Sequence, residues 1–563
     1  MSEQRQAMAL PVPGDDEVLF VALGGLGEVG MNVALYGRAG QWIMVDLGIT
    51  FGDDTTPGVD IILPDLACLE GQENRLAAIV LTHAHEDHVG AVPYVWQKVR
   101  CPIYATPFTA EFVRRKLTEE GVAGEAKVKE VPRGGRFMAG PFDIELIPVA
   151  HSIPEAHGVA IRSDAGTLFH TGDWKLDPDP VIGPPTDEAA FRRLGDEGVL
   201  AMICDSTNAI IEGHSRSEAE LLPSITDLIS ARTSGRVVFT CFASNVARLQ
   251  TISRAAAANG RRVALVGRSL RRMDQVARST GYLRGVPDFL SEEHVGFLPP
   301  DEIVLICTGS QGEPRAALHR IAGGTHPHVV LDPDDTIVFS SRTIPGNERA
   351  VDRLQNQLAR MGMEIITNRD HFVHVSGHPA RGELRRMYEW IRPKVSVPVH
   401  GEIRHRMAHR ELVQKLGTVP HSLLPENGSI IRFTRSESAI VGEVHTGRLT
   451  FDGQKVVPLE GGALRARRRM VENGVATISL VLDAKGKVLT EPQISVHGLV
   501  HEEEEGDMAA LLLRAVEEAV GRLSPAARRE DEPVIDAARI AVRRQLRSRY
   551  KKRPAIEVHL ARV

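Results

Sequence analysis

The chain has 563 residues, 42% of them hydrophobic and 25% charged, with a formal net charge of −6. That length exceeds a single hydrophobic core, so two or three domains are expected, and the composition excludes a disordered or fibrous chain. No apolar run reaches the roughly 18 residues of a bilayer span, and five scattered cysteines without a C-x-x-C pair exclude a disulfide framework and a cysteine zinc site.

The opening stretch over residues 1–16 has no apolar h-region and reads as a disordered lead rather than a signal peptide, so the expected compartment is the cytoplasm. From residue 17 to 208, short apolar or alternating strands follow one another: VLFVAL, NVALYGRAGQWIMVDLG, LAAIVLTHAH, FDIELIPVAH, GVAIRSDAGTLFHTGD and GVLAMICDST. Strands in runs imply sheets packed on each other with helices outside, one of them near Thr109–Glu120. From 209 to 372 strands alternate with helices, the pattern of a doubly wound parallel sheet. VSVPVHGE and SIIRFT, within 373–448, return to the first domain. Residues 449–465 read as a Gly-rich basic linker, and 466–563 as a small α+β module with strands VATISLVLD, KVLT and AIEVHL around two helices. Glu502–Glu505 reads as an exposed acidic turn, and the basic runs Arg465–Arg469 and Arg543–Arg553 as solvated faces.

The chemistry concentrates in His83-Ala84-His85-Glu86-Asp87-His88, directly after the strand AAIVL. Three imidazoles and a carboxylate within six residues cannot share one face of a helix or strand, but on a loop they converge on a divalent cation such as Zn²⁺. His151, Asp173 and His400 each follow another strand. Singly, such residues are satisfied polar groups or turn residues; in series with HAHEDH they read as further ligands. Gly25-Leu26-Gly27-Glu28-Val29-Gly30 matches G-x-G-x-x-G, yet MNVALY after it continues as strand. It is therefore a glycine turn and not a dinucleotide site. GSQGEP (Gly309–Pro314) and FASN (Phe242–Asn245) follow strands, and either presents backbone N–H groups to a phosphate or is a plain strand–helix turn.

Taken in order, GGLGEVG, HAHEDH, HSIPEAHG, TGDWK, CDSTN, HVSGH and PVHGE resemble the ribonuclease J family, in the β-CASP branch of the metallo-β-lactamase superfamily, over almost the whole chain. The resemblance implies an α/β fold: a metallo-β-lactamase αββα sandwich, an inserted doubly wound β-CASP domain and a small α+β C-terminal domain. It implies two Zn²⁺ per chain, one held by His83, His85 and His151, the other by Asp87, His88 and His400, with Asp173 bridging and Mn²⁺ or Mg²⁺ assisting. Asp46 of VDLG would orient a ligand histidine from behind. Asp205, His378 and Asp87 are the expected catalytic residues, with His378 protonating the leaving 3′-oxygen while Asp205 aims it. His374, Ser376, Ser244 and Asn245 are the expected contacts to substrate phosphate. Trp174 stands where the family usually has Phe, and Met31 where Lys is common. The implied function is hydrolysis of single-stranded RNA 5′-to-3′ from 5′-monophosphate ends, with endonucleolytic cleavage as a second mode, in rRNA processing and mRNA decay. A homodimer or homotetramer built through the C-terminal module, and contacts with other RNA-decay proteins, are implied as well. The alternatives are a metallo-hydrolase of small-molecule esters and a non-catalytic RNA-binding scaffold. Some 170 residues between Asp205 and His378 argue against the first, and the filled ligand positions against the second.

Overall fold

The structure is a computed structural model that describes residues 9–53, 55–500 and 505–563, divided into two compact units. One comprises residues up to Thr50 together with Leu63–Gly447; the other comprises Phe51–Ile62 and Arg448–Val563. No described helix is long and apolar enough to cross a membrane.

The larger unit opens on two sheets stacked face to face. The first runs, edge to edge, Ser438–Glu443, Ser429–Phe433, Val18–Gly24, Val33–Arg38, Gln41–Val45, Leu76–Val80, Ile103–Ala105 and Val128–Glu130. The second runs His421–Ser422, Val395–Val399, Ala201–Asp205, Gly166–His170, His157–Ser163, Phe142–Pro148 and Arg136–Ala139. Alternation puts Ile144 and Leu146 of the second sheet against Phe20, Tyr36, Ile43 and Val80 of the first, and these side chains form the buried layer between the sheets. Helices Glu188–Glu197, Arg381–Ile391 and Ile403–Leu416 cover the outer face of the second sheet through Phe191, Trp390 and Leu412. Helix Pro107–Glu119 packs against Ile103–Ala105 and Val128–Glu130 of the first, so the layers read αββα.

Between Asp205 and His378 the chain forms a six-stranded, all-parallel sheet ordered Leu290–Ser291, Arg262–Val266, Ile303–Cys307, Val237–Thr240, Thr336–Phe339 and Glu364–Ile366. Its central strands are buried throughout, and separate apolar clusters lie on its two faces, as a doubly wound sheet requires. The Arg248 guanidinium sits inside this body fully buried, forked onto Glu218 at 2.7 and 3.1 Å.

The smaller unit has a three-stranded sheet, Gln493–His497, Val475–Leu482 and Ala555–Arg562, with helices Glu505–Gly521 and Asp531–Tyr550 packed on its apolar side.

Three expectations change and a fourth falls outside the described residues. Residues 9–16 are not a free lead: Leu10 is buried and its N–H donates to the Cys68 carbonyl, because an apolar side chain beside the sheet has a place to pack. The stretch 449–465 is no linker: Arg448–Asp452 pairs with Lys455–Pro458, and the helix Gly462–Asn473 starts inside it. Gly453-Gln454, with Gly453 in the left-handed region, closes that hairpin between Asp452 and Lys455. KVLT makes one isolated bridge, Leu482 to Val488; the second strand is Gln493–His497, whose polar face disguised it. The acidic turn Glu502–Glu505 lies outside the described residues, apart from the backbone of Glu505.

Candidate metal centre

Every residue singled out as a ligand follows the C-terminal end of a strand in one of the two stacked sheets. HAHEDH follows Leu76–Val80, His151 follows Phe142–Pro148, Asp173 follows Gly166–His170, and His400 follows Val395–Val399. Gly166–His170, Ala201–Asp205 and Val395–Val399 run parallel, so their ends reach the same edge. Three local features hold the loops there. A Cβ at Gly48 would lie 1.7 Å from the Asp87 carbonyl, so the VDLG turn meets HAHEDH at a distance only glycine allows. A Cβ at Gly377 would fall 2.9 Å from the His151 ring, which is how HVSGH packs on the site. The GGLGEVG turn clasps the His400 loop: Gly27 N–H donates to the Gly401 carbonyl, and Gly401 N–H to that of Glu28. Asp46 (φ +63°) and His400 (φ +48°) both sit in the left-handed region, strain of the kind that gathers at functional sites.

The donor atoms form three overlapping groups, each within 4.8 Å: His83, His85, His151 and Asp173; Asp87, His88, Asp173 and His400; and Asp173, Asp205, His378 and His400. Asp173 belongs to all three, with Oδ2 3.3 Å from His88 Nε2 and 3.8–3.9 Å from His151 and His83 Nε2. Its Oδ1 is buried without a hydrogen-bond partner. The nitrogens His83 Nε2, His85 Nδ1 and His151 Nε2 approach within 3.0–3.1 Å. His151 Nδ1 is spoken for by the Gly377 carbonyl at 2.7 Å, which leaves Nε2 a bare lone pair. Converging lone pairs and an orphaned carboxylate oxygen repel or go unsatisfied unless a cation lies among them. The residues therefore fit a metal site.

Behind the donors lies a supporting layer. Asp46 accepts from the Thr82 N–H (2.8 Å), the Thr82 hydroxyl (2.8 Å) and His88 Nδ1 (2.7 Å), fixing the His88 tautomer with Nε2 toward the centre. Thr207 Oγ1 lies 2.9 Å from His400 Nδ1 and donates to Asp205 Oδ1 at 2.7 Å. Asn32 Nδ2 donates to Asp87 Oδ2 at 3.2 Å. Asp205 Oδ2 takes a 2.8 Å hydrogen bond from His378 Nδ1.

Protonation follows the surroundings. Burial, reinforced by neighbouring imidazoles, holds His83 and His151 well below the ordinary histidine pKa and His85 at about 4, so these three stay neutral and able to ligate. Burial works against charge on His378 too, but Asp205 and Asp173 outweigh it and raise its pKa, which favours the imidazolium. Asp205 is held well below the usual carboxylate range: burial opposes this, and His378 overcomes it.

The expected phosphate contacts divide. His374 Nδ1 is buried without a partner, and Ser376, whose Oγ accepts from Asn208 Nδ2 at 2.7 Å, lines one cavity with His151. Asn245 caps the helix Val246–Ala258, its Oδ1 accepting from the Arg248 N–H at 2.9 Å, and Ser244 stands half-buried before it. In the inserted domain Arg271 pairs with Glu292 and Arg272 with Glu119, while Arg268 is exposed. Met31, where Lys is common in the family the sequence resembles, is fully buried. Sequence reasoning missed Asn32, Thr82, Thr207 and Asn208. The last two lie inside CDSTN, where the motif itself could have found them; Asn32 is a small polar residue at a strand start, and nothing in its neighbours marks it.

Residues 54–190 match the family described as beta-lactamase superfamily domain, 234–358 the ribonuclease J beta-CASP domain, 362–424 the Zn-dependent metallo-hydrolase RNA specificity domain, and 462–563 the ribonuclease J C-terminal domain. The chain is 44% identical to a ribonuclease J of Sinorhizobium meliloti over 98% of both chains. It is 35% identical to one of Thermus thermophilus over 92% of this chain and 91% of that one. A solved structure of a protein of unknown function from Enterococcus faecalis shares the fold, with a TM-score of 0.51 at 15% identity, covering 74% of this chain and all of the other.

Proposed function

The chain belongs to the ribonuclease J family and is a metal-dependent ribonuclease of the metallo-β-lactamase fold; from that premise we propose a zinc enzyme that degrades single-stranded RNA 5′-to-3′ from 5′-monophosphate ends and also cuts internally. The observation that carries the reading is the convergence of His83, His85, His151, Asp87, His88 and His400 around Asp173, with the Asp205–His378 pair alongside. The donor set of imidazoles and carboxylates suits two Zn²⁺, with Mn²⁺ or Mg²⁺ assisting. When bound, such ions supply Lewis acidity that favours ionised water at neutral pH and offsets charge on the phosphate.

The protein's own groups do the rest. Asp205 accepts the Nδ1 proton of His378 and holds the ring charged and aimed, leaving Nε2–H to protonate the 3′-oxygen as the P–O bond breaks. Asp46, Thr207 and Asn32 keep the ligand atoms turned inward. His374, with its unpartnered Nδ1, Ser376 and the turn at Ser244 would receive a terminal phosphate. In this reading 17–208 and 373–448 form the catalytic domain and 209–372 the second wall of the RNA site. The unit ending at Val563 carries assembly into dimers or tetramers and contacts with other decay proteins, in the cytoplasm.

The test is one RNA carrying a 5′-monophosphate, a 5′-triphosphate or a 5′-hydroxyl, incubated with zinc-loaded protein, chelated protein and a His85→Ala variant. Mononucleotides released mainly from the monophosphate substrate, and lost on chelation and in the variant, are expected. Failure of loaded wild-type protein to cut any of the three would overturn the reading and turn attention to small-molecule esters or a scaffolding role.

A further inference from the structure

Arg342 stands out among the arginines beside the metal centre. Arg216, Arg381 and Arg404 each pair with a carboxylate, Glu220, Glu212 and Glu402 respectively. Arg342 is exposed and has no carboxylate partner among the described residues. Its placement is nevertheless tightly set by two buried side-chain amides. Asn208 Oδ1 accepts from Arg342 Nη1 at 3.1 Å, and the same amide's Nδ2 donates to Ser376 Oγ at 2.7 Å and to the His378 carbonyl at 3.1 Å. Gln311 Nε2 donates to the Arg342 carbonyl at 3.0 Å, and Gln311 Oε1 accepts from the Ile344 N–H at 2.8 Å. One amide thus links the guanidinium to the segment that carries Ser376 and His378, while the other fixes the backbone beneath it.

Two buried polar atoms in the field of this guanidinium are unsatisfied: Nδ1 of His374 and Nδ1 of His405. An exposed fork of N–H donors with no carboxylate partner matches what a phosphate oxygen needs. A carboxylate at Asn208 would have neutralised the guanidinium; an amide holds it and leaves its charge available. We propose that Arg342 is a substrate-binding residue that grips an RNA phosphate at the edge of the metal centre, positioned for that contact by Asn208 and Gln311. The proposal rests on the ribonuclease reading and adds to it a residue that no sequence motif marked.

The experiment compares wild type, Arg342→Gln and Arg342→Lys on 5′-monophosphate and 5′-hydroxyl forms of one RNA, with kcat and KM measured across a salt series. Metal content and Tm, measured alongside, are expected to stay at wild-type values. Arg342→Gln is expected to raise KM roughly tenfold or more while kcat changes little, since it removes a charge-assisted fork onto phosphate. The dependence of log(kcat/KM) on log salt should become shallower by about 0.7, the share of one phosphate contact on a single strand. Arg342→Lys, which keeps a point charge and loses the fork, should restore the slope and only part of the affinity. A loss confined to the 5′-monophosphate substrate identifies the terminal phosphate as the ligand; an equal loss on both identifies an internal phosphodiester. Unchanged KM and salt slope on both substrates would overturn the proposal even if kcat fell, leaving Arg342 as a support for Asn208. Wild-type cleavage, run in parallel, separates that outcome from failure of the ribonuclease reading.

Discussion

Replacing Arg248 with Met should destabilise the inserted α/β body far more than a typical surface change. The side chain is fully buried, and all its nitrogens are engaged: Nε and Nη2 on Glu218, and Nη1 on the Ser340 carbonyl, the Ser340 hydroxyl and the Val373 carbonyl. Methionine roughly fills the space of the stem but leaves the buried Glu218 carboxylate without a counter-charge. Breaking a buried pair by removing one partner costs about 3–5 kcal/mol. The Val373 carbonyl still accepts from Ser340 Oγ at 2.7 Å, so its loss is partly covered; the net is about 4 kcal/mol. At about 2–4 °C per kcal/mol for a body of this size, the unfolding transition should drop by roughly 10 °C. Calorimetry on the full chain measures this, and Glu218→Met/Arg248→Met provides the control. With both charges gone, the penalty of an unpaired buried carboxylate disappears and most of the stability should return. A double variant as unstable as the single one would refute the reasoning, because the loss would then come from packing and not from the uncompensated charge.

Two further outcomes follow from the site and its surroundings. His378→Gln should lower kcat by about 10²–10⁴-fold, the range for a lost general acid, while metal content by atomic emission stays at the wild-type level; loss of metal would instead make His378 a ligand. His157 lies in a buried strand with both ring nitrogens unpartnered, and burial pushes its pKa down to about 4. Its folded value lies below the ordinary 6.5, so the unfolded chain takes up the proton first. The stabilising effect is complete above about pH 6.5 and is lost as pH falls toward 4, up to roughly 3 kcal/mol. His157→Leu should therefore flatten the fall of Tm with pH over that window relative to wild type. Parallel curves would show that His157 does not titrate on unfolding.

The fold was legible where side-chain pattern and secondary structure agree. Continuous apolar runs such as Val237–Thr240 and Ile303–Cys307 announced a sheet buried on both faces, and the strand–helix alternation around them announced parallel order. It was illegible where a strand shows a mostly polar surface: Gln493–His497 buries only Val496 well, so its pattern carries almost no apolar period. The stretch read as a linker misled for a related reason. Glycine and arginine are common in linkers, yet here Gly453-Gln454 makes a hairpin turn, and the arginines sit on a helix that buries Leu464, with Arg467 paired to Asp452 and Arg468 to Glu460.

The candidate ligands were readable because metal chemistry demands particular residue types at strand ends, and such types in such places are rare by chance. The layer behind them obeys a weaker demand. It needs one donor or acceptor at the right distance, and Asn, Gln or Thr from any part of the chain can supply it. Asn32 reaches Asp87 across 55 positions, Asn208 reaches Ser376 across 168, and Gln311 reaches the Arg342 carbonyl across 31. No local spacing records these partnerships. Their chemistry does share one property: the amides that orient Asp87, Ser376 and Arg342 carry no charge. A carboxylate in the same places would compete for the cation, neutralise the guanidinium, or shift the balance by which Asp205 keeps His378 charged. Amides and hydroxyls that give and take hydrogen bonds at no cost in charge are thus what this centre requires, and their neutrality is also why a search for charged and metal-binding residue types passes over them.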